Sequence, residues 1–84
     1  MTVPSKFDTV FSGYNDLQRL QGLDLSRYKR KEVTRYTYIV TNYDGYDGTV
    51  YANLIVYRGR VIAGDICTES ENGFIHGFSK DTRL

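Results

Sequence analysis

One cysteine stands in the whole chain, Cys67. A lone thiol closes no internal disulfide and supplies no Cys-rich zinc site, so packing alone has to hold the fold. It also favours a reducing compartment, and we expect a cytoplasmic protein. No apolar run approaches the ~18 residues that a membrane-crossing helix needs, and no basic segment leads into an apolar one at the start; neither a span nor a secretory signal is expected. Charge of one sign is lacking too, since eleven Lys and Arg face ten Asp and Glu for a formal net charge of +1. That balance excludes a global field that gathers nucleic acid, and it excludes an acidic mimic of DNA. Any electrostatic partner must be met by a local patch. With one proline and eight glycines among 84 residues, and 40% hydrophobic against 25% charged residues, the composition is that of a folded domain and not of a disordered tail. Residues 1–84 form one domain with a small core.

Along the chain, residues 1–7 are polar and expected to be loose, as are residues 79–84. Phe7, Val10, Phe11, Tyr14, Leu17 and Leu20 then recur at spacings of three and four, which predicts an amphipathic helix over residues 9–21. Asp8 is placed to cap its first turn and Gly22 to take the positive φ just past its end. Residues 24–32 make a basic connector with room for a short helical turn. Runs rich in Thr, Tyr, Ile and Val follow at 33–43, 49–57 and 61–68, bounded by glycine-containing turns, and predict strands. Glu71-Asn72-Gly73 reads as a third turn before a short strand at 74–78. The expectation is an α+β domain, one N-terminal helix packed on a three- to four-stranded antiparallel meander.

The segment Asn42-Tyr43-Asp44-Gly45-Tyr46-Asp47-Gly48 carries two Asp-Gly pairs. A helix-loop-helix calcium site needs glycine at its sixth position and a bidentate Glu at its twelfth; here those places hold Asp47 and Asn53. A phosphate loop needs a helix after it, but the residues that follow read as strand. Asp-Gly suits a hairpin tip, because Gly takes positive φ at little cost and Asp tolerates it. A turn at either pair, or across the whole segment, places even-numbered residues of the first strand opposite odd-numbered residues of the second. One face then carries Tyr36, Tyr38 and Val40 with Tyr51, Asn53, Ile55 and Tyr57. The other carries Thr37 and Ile39 with Val50, Ala52, Leu54 and Val56. A second tight turn at Arg58-Gly59 pairs Tyr57 with Arg60 and Ile55 with Ile62, and sets Cys67 on the aliphatic face with Asp65 as its odd polar member.

Both faces are substantially apolar, and a single helix covers one. The aliphatic face is its natural partner, which leaves Tyr36, Tyr38, Tyr51, Ile55 and Tyr57 as an open patch rimmed by Arg58 and Arg60, the composition of interface centres. If the helix covers the Tyr face instead, Val50, Leu54, Val56 and Val61 are left open. The expected function is non-catalytic recognition of another protein or of a second copy, as a regulator, inhibitor or accessory factor. Single-stranded nucleic acid is the alternative, with the rings stacking bases and Arg27, Lys29, Arg30, Lys31 and Arg35 holding phosphates. A thiol enzyme comes third: Cys67 with His76 as base and Asp65 or Glu69 as orienter. Against it, Cys67 reads as a buried structural thiol and His76 as packed between Phe74 and Phe78. Cys67, His76, Asp65 and Glu69 are metal-ligand types without a recognised spacing, so neither metal nor cofactor is expected.

Overall fold

The computed structural model describes residues 1–69 and 73–84. Helix α1 spans Thr9–Leu20, and its ends are built as the sequence implies. The Asp8 carboxylate accepts from the Phe11 amide at 2.7 Å, satisfying one first-turn donor. Past the last turn Gly22 takes φ +79°. There the Gly22 and Leu23 amides donate back to the Arg19 and Gln18 carbonyls at 3.1 and 2.9 Å, which closes the C-terminus. A 3-10 turn follows at Leu25–Tyr28, capped by Asp24.

The sheet is β1 (Thr34–Val40), β2 (Val50–Tyr57), β3 (Arg60–Thr68) and β4 (Ile75–His76), in that spatial order and antiparallel throughout. The fold is therefore α+β, one N-terminal helix with a four-stranded antiparallel meander. The Glu71-Asn72-Gly73 turn begins outside the described residues.

The register differs from expectation in both hairpins. Tyr36 lies opposite Leu54, Tyr38 opposite Ala52 and Val40 opposite Val50, so even faces even. The cause is the connection Thr41 to Thr49, which is odd in number where the tight turns and the whole-segment turn considered above are even; since side chains alternate, one residue of slip exchanges the faces. In the second hairpin Tyr57 does pair with Arg60, across a two-residue turn in which Arg58 and Gly59 have φ of 49° and 79°, the left-handed pair that matches strand twist. Ile55, however, pairs with Ala63 and not with Ile62, because a bulge intervenes between Ile55 and Val56.

These shifts define two faces. The helix side carries Arg35, Thr37 and Ile39 with Tyr51, Asn53 and Ile55 and with Ala63, Asp65 and Cys67; the far side carries Tyr36, Tyr38 and Val40 with Val50, Ala52, Leu54 and Ile66. The core on the helix side is Val3, Leu25, Val33, Ile55, Ile62 and Ala63, against which Phe7, Phe11, Tyr14, Tyr28 and Tyr57 pack. Each Val, Leu or Ile side chain buried there is worth roughly 1.5–3 kcal/mol.

Two expectations about the helix and the N-terminus are corrected. Val10 and Leu20 are 82% and 56% exposed, while Asn15, Leu17 and Gln18 are buried. The inner face is partly polar because it meets backbone. Among the described residues no strand pairs with the outer side of β3 at Gly64, as β4 reaches Ile66 and Cys67. There Gln18 Oε1 accepts from the Gly64 amide at 2.8 Å and Gln21 Nε2 donates to its carbonyl at 3.0 Å, in place of a missing strand. Residues 1–3 are not loose. Met1 and Val33 exchange two backbone bonds at 2.8 and 2.7 Å, Val3 bonds Lys31 and Arg30, and Val3 is buried in the core. The C-terminal residues turn back through Gly77 N–H to Thr82 C=O at 2.8 Å.

Candidate functional site

The expected tyrosine face does not exist as one surface. Tyr36 and Tyr38 stand on the far side of the sheet; Tyr51, Ile55 and Tyr57 stand on the helix side. Ile55 is core, and Tyr57 packs edge-on to Tyr28 at 5.5 Å beneath the Arg58 guanidinium. The Tyr51 hydroxyl donates to Glu69. Of the proposed anchors only Tyr36 and Tyr38 remain open together, at 45% and 54% exposure, with rings stacked 6.5 Å apart.

Both belong to β1, an edge strand: among the described residues β2 is its only partner in the sheet. The N-terminal pairing stops at Val33, one residue before β1 begins. Ile39, on the opposite side of the same strand, is 65% exposed. An edge of seven residues with apolar side chains open on both faces is the feature that soluble proteins ordinarily shield. Among the described residues the far side is covered at its other end, where Phe78 lies over Gly64 and where Tyr43, Phe74 and His76 stack.

On the helix side a groove of about 330 Å³ opens between Met1, Val10 and Phe11 and the sheet, with Ile75 at its far wall. Its floor is polar and fully engaged. The Tyr14 hydroxyl donates to Asp65 Oδ1 at 2.7 Å, Asn53 Nδ2 to Asp65 Oδ2 at 3.0 Å, and Thr37 Oγ1 to Asn53 Oδ1 at 2.8 Å. Burial, followed by the Asp65 charge, raises the Tyr14 pKa far above the ordinary tyrosine value. Cys67 stands on this floor beside Ile75, its cross-strand neighbour, with Asn53 Nδ2 3.3 Å from its sulfur. Burial first and then the Asp65 charge push its thiol up, away from the thiolate that nucleophilic chemistry requires.

The Cys67–His76 dyad is not formed. His76 pairs with Ile66 and Cys67 with Ile75, and neighbouring residues of a strand point to opposite faces. His76 is buried, with Nε2 2.8 Å from the Tyr43 hydroxyl and Nδ1 2.6 Å from the Gly77 carbonyl, and it stacks on Phe74. Of the rings expected beside it Phe74 is in place, and Tyr43 joins it. The basic residues disperse as well. Lys29 sits 4.8 Å over the Phe7 ring, Arg35 lines the groove on the helix side, and Arg27 lines a cleft with Arg19 and Arg60. Neither Arg27 nor Arg35 shares a surface with the Tyr36–Tyr38 pair. Among the described residues no three His, Cys, Asp or Glu groups gather as a metal site, and no helix is long and apolar enough to cross a membrane.

Sequence reasoning missed the N-terminal pairing, the glutamines on Gly64 and the ring cluster about His76. None has a local signal, since each joins residues more than thirty positions apart.

The chain belongs to the family described as a domain of unknown function, DUF4830, whose model matches residues 2–66, from the N-terminal pairing through most of β3. No curated protein and no solved structure matches it.

Proposed function

We propose that this member of the family is a non-catalytic recognition domain that works by adding a strand at β1, and that the strand it adds is β1 of a second copy. The observation that carries the reading is the seven-residue edge strand with Tyr36, Tyr38 and Ile39 all open. Unpaired backbone donors and acceptors along such an edge are satisfied by another extended chain, and the side chains on either face supply selectivity.

The sequence of β1 is self-complementary about Thr37. An antiparallel pairing with its two-fold axis there sets Tyr36 opposite the partner's Tyr38, Arg35 opposite the partner's Ile39 and Thr34 opposite the partner's Val40. No like charges meet, and the two stacked pairs merge into a four-ring cluster; aromatic cross-strand pairs contribute roughly 0.2–1 kcal/mol each. Closed two-fold dimers are the commonest assembly of soluble chains. The raised Cys67 thiol and the absence of a Cys67–His76 dyad support a role without covalent chemistry.

A cross-link tests the register. In a Cys67→Ser background, Thr37→Cys places two thiols across the axis at a separation of about 4.5–5.5 Å between Cα atoms, within disulfide reach. Mild oxidation is expected to give a covalent dimer with Thr37→Cys and none with Thr41→Cys. Equal yields from the two, or none from either, contradict the proposal.

A further inference from the structure

Arg19 from the last turn of α1, Arg27 from the 3-10 turn and Arg60 from the start of β3 line one cleft of about 420 Å³. That volume lies in the range of small-molecule sites, roughly 300–1,000 Å³. We propose that the cleft binds the phosphate group of a small phosphate monoester with an apolar body.

Three observations converge. First, the arginines come from three elements separated in sequence, so the fold and not a local charge run brings them together. Second, none of the three guanidinium groups has a hydrogen bond or ion pair among the described residues, where the only ion pair joins the Met1 amino group to Glu32. Arg19, Arg27 and Arg60 thus set three cationic side chains about one concavity. Arg forks bind phosphate in bidentate fashion, and they are less strongly hydrated than lysine. Third, Asp24 is the one carboxylate on the wall, and although it is ionised and acts on Arg19 it offsets only one of the three positive charges. Its Oδ1 accepts from Asn15 Nδ2, the Ser26 amide and the Ser26 hydroxyl at 2.9, 2.9 and 2.6 Å. The cleft therefore keeps a surplus of positive charge.

The remaining wall decides what the anion is attached to. Leu23, Tyr28 and Val61 lie beside the arginines, and an inorganic anion alone leaves these side chains and most of the volume unused. An ester whose organic part rests on these side chains fills both. Arg19 also complements the helix C-terminus, which accounts for its position but not for its convergence with Arg27 and Arg60.

Phenyl phosphate, titrated against the intact chain and followed by amide chemical shifts and calorimetry, tests the proposal. Binding is expected to shift the amides of residues 19–28 and 60–62, to weaken as salt rises, and to fall at least ten-fold in each of Arg27→Gln and Arg60→Gln, while Lys31→Gln binds as the parent does. Inorganic phosphate is expected to bind at least ten-fold more weakly than phenyl phosphate. Circular dichroism and melting confirm that the variants fold, both arginines being exposed. Absence of binding, binding that survives both Arg variants, or inorganic phosphate bound as tightly as the ester overturns the proposal. Because the cleft and β1 share no residue, failure here leaves the strand-pairing proposal standing, and the reverse holds.

Discussion

At the residue scale, two side chains decide how much chemistry the molecule shows. Cys67 is held as a thiol by burial and by Asp65, and its sulfur is on the other face of the sheet from His76. We therefore expect iodoacetamide at pH 8 to alkylate Cys67 more slowly in the folded chain than in urea, with His76→Ala giving a rate within about two-fold of the parent. A fast folded-state rate that depends on His76 contradicts this. Asp24 is the second. Hydrogen bonds from Asn15 and then Ser26 hold its carboxyl down at about 2, below an ordinary value of 3.8. A folded-state value below the unfolded one contributes stability that is present above about pH 4 and is lost as the pH falls towards 2. The contribution is modest, as solvent screens the group. Denaturant midpoints should place Asp24→Asn below the parent at pH 6 and narrow the gap as the pH falls through 4 towards 2; a gap of constant size contradicts the assignment. Asp8 as the helix cap and Gly22 as its terminator were legible from the sequence, because each acts within one turn of itself.

At the scale of elements, the strands and the helix were legible and their mutual placement was not. Periodicity reads which residues alternate, but the faces of a sheet depend on loop parity, and the composition of the Asp-Gly segment does not reveal whether the connection holds an odd or even number of residues. The bulge beside Ile55 has the same character, one residue that inverts everything beyond it. Helix placement failed for a different reason. Gln18 and Gln21 look like solvent residues in a helical stripe, yet they complete β3 at Gly64, where the chain's own fourth strand is too short. Gly64 has a further constraint. A Cβ there lies 2.2 Å from Phe78 Cζ and 2.5 Å from the Asn53 carbonyl oxygen. Gly64→Ala is expected to lower stability by about 1–3 kcal/mol or more, read as a shift in the urea midpoint. Adding Phe78→Ala should recover only part of that loss, since the Asn53 backbone stays. Full recovery in the double variant contradicts the geometry.

For the whole molecule, the sequence showed that a short helix cannot shield both sides of an apolar sheet, and the structure locates what is left open. It is not the broad tyrosine face that the two strands suggest when paired even to odd. The helix and the N-terminal segment close one side over Ile55, Ile62 and Ala63, Phe78 and the rings about His76 cover one end of the other, and β1 is left with Tyr36, Tyr38 and Ile39 in solvent. Those positions could not be singled out from sequence, because Tyr51 and Tyr57 resemble Tyr36 and Tyr38 until the register is known. Sedimentation equilibrium across a range of protein concentrations tests the central claim most directly. The parent chain is predicted to fit a monomer–dimer equilibrium, and Tyr38→Lys, which places a charge on the edge strand without touching the core, is predicted to shift it at least ten-fold towards monomer. A parent that stays monomeric at high concentration, or a dimer unaffected by Tyr38→Lys, contradicts the account.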